Sequence, residues 1–524
     1  MKSARERALN RLLLFLAATA VLTMAGACAS VEQFVPPEGA TDGDLTFEPG
    51  TYAVKDGTRK TTEYAADRGF LLVPENRSVP DSRLIALPVI RIHALADDPG
   101  EPIFHLAGGP GGSNMSFSHL KGLIDDHDIV MVGYRGVDGS VSLDLPEVSK
   151  AWKGKGDDLF SETSIQNVTD AFGRGAKRLQ DEGVDIHGYT MIEVVDDMEA
   201  ARIALGYQRI NLLSESYGTR LAQFYAYRYP ESLFRSAMIS VNPPGHFLWE
   251  PDVVDQLIAH DAGLLAEDPE WSQRTPDLAA TMRKVTQEMP DRWLFVPIDA
   301  GKVRFLTHFM LFHRGSAAAV YDTYIGAEHG DYSGLAMMSL AFGLMMPNAL
   351  NWGDWASKGA PDYTADRDYL EEMLAEGSII GAPASVAGSA ARGWPATDIP
   401  VEFRQAQPSD VETLLISGNS DFSTPSQFAR DELLPVLENG EQVVLSEFGH
   451  TGDVWGLQPD AVVCLLTTFY ENGKADDSLF TYQPMDFDAG PSYRSMAKLG
   501  LAAAAGGIVT VAGLTALTIW LLAN

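Results

Sequence analysis

Four short apolar runs, "PIFHLAGGPGGS", "HDIVMVGYRG", "RINLLSES" and "RSAMISVN", each close on Gly, Ser or Asn, and helical patterns lie between them. Runs this short and this continuously apolar fit strands buried on both faces, the setting of parallel sheets. The clearest intervening pattern is "MIEVVDDMEAARIALGY", Met191 to Tyr207, with apolar side chains three and four apart. Alternation of this kind restricts the chain to an α/β architecture, a mostly parallel sheet with helices on both faces. Ahead of it, "GFLLVPENRSVPDSRLIALPVIRIHA" holds two β-rich runs around Pro74, Asn76, Ser78, Pro80 and Asp81, which predicts an antiparallel hairpin.

The alternation stops at residue 245 and resumes at 405. The intervening 245–404 is rich in Trp and Met, with helical stretches such as "VVDQLIAHDAGLL" and "LAMMSLAFGLMM", and reads as a helical cap inserted into the sheet domain. The sheet is expected over 66–244 and 405–475, ending in "VETLLISGN", "EQVVLSEFGH" and the helix "DAVVCLLTTFYENG". Methionines 337, 338, 345 and 346 fit either core packing or an adaptable apolar pocket, with packing the plainer reading.

Both ends of the chain carry targeting patterns. Residues 1–27 have a basic start, an apolar run from Leu12 to Met24 and the small residues Ala25-Gly26-Ala27, as an export signal does. Cys28 follows, and "AGAC" resembles a bacterial lipoprotein box, which makes Cys28 a candidate for acylation. Residues 28–65 read as a flexible tether, 476–498 as a linker, and the uncharged 499–523 as a transmembrane helix long enough for a hydrocarbon core of about 30 Å. Localisation in a bacterial envelope, anchored to the membrane, is the expectation. With 71 acidic against 39 basic residues and a net charge of −32, the chain would repel phosphate backbones, so nucleic acid is excluded as a partner. Two cysteines are too few for a disulfide framework or a cysteine metal site.

The chemistry centres on "INLLSESYGTRLAQFYAYRYP". A strand, a turn at Ser216 and a helix would lift a hydroxyl clear of the sheet, provided the flanks are small; here they are Ser214 and Gly218, with Ser214 in place of the usual first glycine. A serine needs a base and an orienting acid, which α/β-hydrolases supply in the order Ser, Asp, His from loops after strands. "ETLLISGN" leads to Asp421 and "QVVLSEF" to Gly449-His450. The glycines of "LAGGPGGS" free backbone N–H groups to stabilise an oxyanion, a role that falls to Gly109 together with Tyr217, the residue after the serine.

"HLAGGPGGS", "VGYRGVDGS", "INLLSESYGTRLAQFYAYRYPESL", "GNSDFSTP" and "FGHTGD" stand in the order seen in the prolyl and tripeptidyl aminopeptidase family of α/β-hydrolases, which the chain resembles from about Gly69 to Gly473. The resemblance implies the α/β-hydrolase fold with a helical cap, a Ser216-Asp421-His450 triad, oxyanion glycines at Gly108 and Gly109, and no metal or organic cofactor. It also implies a peptide substrate with a free N-terminus, whose ammonium calls for carboxylates such as Glu250, Asp252, Glu267 or Asp268 of the cap. Asp138 departs from the family pattern, where glycine is usual. An esterase acting on small or lipid-like esters would use the same triad, and a catalytically silent envelope-binding protein is the alternative of another class.

Overall fold

The computed structural model describes residues 34–502, apart from 56–59, 155–157, 360–361, 363–368, 396, 489 and 491. The readings of residues 1–27, Cys28 and most of 499–523 therefore lie outside the described residues. Among the described residues no single helix is long and apolar enough to cross a membrane.

Nine strands form one sheet: β1 (Leu45–Lys55), β2 (Thr61–Pro74), β3 (Leu84–Ile92), β4 (Ile103–Leu106), β5 (Ile129–Val132), β6 (Ile210–Glu215), β7 (Leu233–Ile239), and two that follow the cap, β10 (Glu412–Gly418) and β11 (Gly440–Leu445). Their order is β1-β2-β3-β5-β4-β6-β7-β10-β11. The first three pair antiparallel, as does β3 with β5, and every later neighbour pair is parallel. Between β7 and β10 the described strands are only β8 (Arg292–Trp293) and β9 (Val296–Pro297), a two-stranded ribbon.

Because neighbouring residues of a strand point to opposite faces, each strand feeds two cores. Leu212, Met238 and Leu415 pack with helices Met191–Leu205 and Tyr217–Arg228 on one face. Leu213, Ala237, Leu414 and Ile416 pack with helix Pro459–Asn472 on the other.

Two boundaries need correction. The expected tether 28–65 contains β1 and the start of β2, paired from Leu45↔Leu71 to Lys55↔Thr61. "LTFEPGTYAVK" alternates in period two but holds Pro49 and Gly50, which obscure a strand; an edge position tolerates both because one side of the ladder is unpaired. The expected linker 476–498 packs on the cap. Met485, Phe487 and Tyr493 enter the apolar cluster that contains Tyr321 and Leu335. Arg494 and Lys498 pair with Asp322 and Asp331 of the cap.

The cap is mostly helical, with helices Pro251–Glu267, Ala300–Met310, Arg314–Glu328, Ser333–Met345 and Trp352–Gly359. Met338 and Met346 are buried in its two apolar clusters, and Met337 and Met345 pack against one of them, so these side chains are core.

Candidate active site

The chain runs from β4 to β5 on one side and then returns past β4 to lay down β6, so the connections after β4 and β6 part in opposite directions. Such a switch opens a crevice at the carboxyl ends of the strands. Gly108 and Gly109 follow β4 and Ser216 follows β6, one on each side of it.

Ser216 is held at φ 52°, ψ −121°, a backbone conformation that L residues rarely adopt, in the turn between β6 and helix Tyr217–Arg228. Two contacts enforce the turn. A Cβ on Gly218 would sit 2.3 Å from the carbonyl oxygen of Leu106, so the helix can press on β4 only with glycine there. Ser216 N–H also donates to Ile239 O at 2.9 Å. Ser214 fits where glycine is usual because its hydroxyl donates to Ala237 O at 3.2 Å, so the buried polar atom is satisfied.

The structure brings the three sequence-distant side chains together. His450 Nε2 lies 2.9 Å from Ser216 Oγ, and His450 Nδ1 lies 2.9 Å from Asp421 Oδ2 and 3.1 Å from Oδ1. Asp421 is fully buried and accepts from Ser423 N–H, Thr424 N–H and the Thr424 hydroxyl. Burial pushes its carboxyl upward, but the adjacent His450 and these hydrogen bonds outweigh it and hold Asp421 below the ordinary carboxylate value. With Asp421 ionised, its nearest ring nitrogen is the donor, which leaves Nε2 free to accept from the serine.

Gly108 lines the serine: a Cβ there would be 3.2 Å from Ser216 Cβ. Gly109 lies beside the Tyr217 ring. Tyr217 is the first residue of its helix, so its N–H has no intrahelical acceptor. The three positions named from the sequence thus surround Ser216. Asp138, the departure from the family pattern, receives Tyr134 N–H and Asn114 N–H at 2.9 Å each, and so ties the loop after β5 to the end of the glycine loop.

Of the four cap carboxylates, Asp252 and Glu267 are exposed, Asp268 accepts backbone N–H groups of Glu270 and Trp271, and Glu250 lies beside His246. Several residues at the site escaped the sequence reading. Thr424 fixes Asp421, and the signal for it was legible, since an Asp with Ser and Thr two and three residues on, as in Asp421-Phe-Ser-Thr-Pro, commonly turns onto its own backbone. Glu215, immediately before the nucleophile position, is half-buried against His105 at 3.2 Å; desolvation pushes it up, yet that bond and the charge hold it below its ordinary value. A buried Asp354–Lys358 pair reaches the glycine loop from the cap, Asp354 Oδ2 accepting Gly111 N–H at 2.9 Å.

A serine at a strand-to-helix turn, a histidine and a carboxylate on later loops, and glycines across a topological switch define the active-site architecture of an α/β-fold hydrolase. The chain belongs to the α/β-hydrolase fold family, whose model matches residues 101–452. It is 25% identical over 249 residues to a tripeptidyl aminopeptidase of Streptomyces lividans, covering 45% of this chain and 46% of that protein. It is 30% identical over 180 residues to the serine protease Hip1 of Mycobacterium tuberculosis, covering 31% and 33%. The chain thus spans less than half the length of the curated relatives it matches. A solved proline iminopeptidase from Mycobacterium smegmatis overlaps 77% of this chain and 98% of its own, at 14% identity and a TM-score of 0.35, too low to bear on function.

Proposed function

We propose that the chain is an exported, membrane-associated serine hydrolase that cleaves peptides from their free N-termini through a covalent acyl-enzyme. The observation that carries this reading is the unbroken relay from Ser216 Oγ through His450 to Asp421, with contacts of 2.9 Å on each side of the imidazole. Ser216 Oγ adds to the scissile carbonyl while His450 Nε2 takes its proton. The oxyanion is met by N–H groups of Gly109 and Tyr217. His450 then passes the proton to the departing amine, and water repeats the sequence to release the acyl group. Asp421 holds the imidazole tautomer and the charge that forms on it. The peptidase half of the proposal draws on the names of the relatives. It also draws on the net charge of −32, which favours approach of a cationic substrate end.

The test is a digest of a peptide library in paired free and acetylated forms by protein lacking residues 1–27 and 499–524. Release from free N-termini alone supports the aminopeptidase reading. Turnover of acyl esters with no peptide cleavage would leave an esterase, and failure of a fluorophosphonate to label Ser216 would leave a silent binding protein. Export and anchoring are tested apart, by fractionating cells that express the full chain with and without 499–523: the proposal predicts that deletion reduces the membrane-bound share.

A further inference from the structure

The oxyanion loop is gripped from outside the sheet domain. Gly111 N–H donates to Asp354 Oδ2 at 2.9 Å, and Gly111 O accepts Asn351 N–H at 3.0 Å, so one turn of the cap holds both polar groups of a single loop residue. The fit is tight: a Cβ on Gly111 would meet Asn351 O at 2.8 Å. Gly111 in turn backs Gly109, since a Cβ on Gly109 would lie 3.3 Å from Gly111 N and 3.2 Å from Gly112 N. Pro110 between them carries no N–H, so the Gly111 amide is the next donor after that of Gly109.

Asp354 is itself braced. It forms an ion pair with Lys358, both side chains at most 1% exposed, and Lys358 Nζ donates to Arg135 O at 3.0 Å. Arg135 is fully buried and joined to Asp197, which anchors this chain of contacts in the sheet domain. Asn351 Nδ2 adds a bond to Gly136 O at 3.0 Å. An ion pair taken wholly out of water is poor value for stability alone, because desolvation offsets most of the attraction. Its charged acceptor does, however, fix a backbone amide more firmly than a neutral one would.

We infer that the buried Asp354–Lys358 pair is a positioning element for the reaction: by fixing Gly111 it aims the Gly109 N–H at the site where the oxyanion develops beside Ser216. Neither residue touches the substrate. The inference rests on the Ser216 hydrolase reading. It assigns to the cap control over the rate of acyl transfer, separate from any part in substrate binding.

The experiment compares the wild-type chain with the double variant Asp354→Leu/Lys358→Met, which keeps the volume buried and leaves no unpaired charge. Steady-state turnover of p-nitrophenyl butyrate and the rate of fluorophosphonate labelling are measured, with thermal unfolding as the check on folding. A misaimed donor is expected to lower kcat and the labelling rate on the order of tenfold or more. KM should stay within about twofold and the pH profile of kcat/KM should not move, since His450 and the binding surface are untouched. Cooperative unfolding with an unchanged kcat overturns the inference, as does a loss expressed only in KM. Should the double variant not fold, Asp354→Asn keeps the shape while removing the charged acceptor. A smaller fall in kcat at constant KM then supports the inference, and wild-type kcat overturns it. If the wild-type protein itself resists the fluorophosphonate, the hydrolase reading fails rather than this one.

Discussion

The sheet domain and the cap contribute differently to the same site. The sheet supplies every member of the relay, each on a loop after a parallel strand: Ser216 after β6, Asp421 after β10, His450 after β11. The cap supplies none of the three, yet it touches the loops that carry Asp421 and His450 and the helix that follows Ser216. Phe312 O accepts His450 N–H at 2.7 Å, and Arg314 N–H donates to Asp453 in the first turn of the helix that His450 opens. Trp249 Nε1 donates to Ser423 O beside Asp421. Asp362 pairs with Arg220 on the nucleophile helix, and Asp354 holds the oxyanion loop. The difference teaches that chemistry here is built from local turns, and its alignment from long-range polar contacts.

If that division holds, removing a relay member should abolish turnover while the chain still folds cooperatively. Asp421→Asn is the sharpest case, because an amide can present N–H to His450 Nδ1 and force the wrong tautomer. The expected fall in kcat is about 10⁴-fold. The sign of the accompanying pH effect is fixed. Asp421 is held below its ordinary value, so the stability it contributes is present above that value and disappears as pH falls through the lowered one. The stability gap between wild type and variant should therefore narrow in strongly acidic buffer, followed by urea unfolding at several pH values. A variant that keeps a tenth of wild-type turnover would break the comparison on the sheet side.

On the cap side the largest effect should be on stability. Arg220 is 1% exposed and Asp362 5%, and the guanidinium also donates to Asn242 Oδ1 and Pro243 O. Arg220→Met leaves the Asp362 carboxylate buried without its partner, an imbalance that costs about 3–5 kcal/mol. Equilibrium unfolding in guanidinium measures it. A loss below about 1 kcal/mol would mean that the cap only rests on the sheet.

What was legible in the sequence follows the same line. The parallel strands, the turn at Ser216, and the acid and base after their strands were readable because each is a short pattern whose meaning is local. Edge strand β1 was not, since Pro49 and Gly50 interrupt its alternation and only its pairing with β2 makes it a strand. The Asp354–Lys358 pair had a local signal, an acid and a base four residues apart on a helix, but that spacing ordinarily marks an exposed pair. Nothing local connects Asp354 with Gly111, 243 positions earlier in the chain.

Asp261 offers a smaller effect with a definite sign. It lies in cap helix Pro251–Glu267, fully buried, and takes a hydrogen bond from the Tyr321 hydroxyl at 2.5 Å. Burial pushes its carboxyl up to about 7; the Tyr321 and Ser420 hydroxyls beside it pull the other way, and the charge of Glu447 adds to the rise. A carboxyl raised in the folded state binds its proton more tightly there than in the unfolded chain. Stability from this group is therefore full below its unfolded value near 4, and declines as pH rises toward 7, by at most about 4 kcal/mol. Asp261→Asn, which cannot ionise, should gain over wild type at pH 8 and show little gain at pH 4. An equal gain at both values would show that the group is not held protonated.

The smallest effect separates strain that serves the site from strain that does not. Ser216 and Leu294 share a positive φ, 52° and 54°, in a class of conformation that costs a non-glycine residue about 1–3 kcal/mol. Ser216 has no alternative, because the turn that strains it is also what lifts its hydroxyl to His450. Leu294 opens the two-residue connection between β8 and β9, where glycine is the favoured residue, and its side chain and that of Phe295 are 59% and 76% exposed. Leu294→Gly should thus relieve strain at little packing cost, though glycine's greater freedom in the unfolded chain returns part of the gain. A net stabilisation of about 0.5–1 kcal/mol is expected from the shift in urea midpoint, with kcat and KM unchanged. Ser216→Gly relieves the same kind of strain and should be stabilised to a similar degree while losing all turnover. Were Leu294→Gly to lower turnover instead, the β8–β9 ribbon would belong with the contacts that align the site, and the line between the two kinds of strain would have to be redrawn.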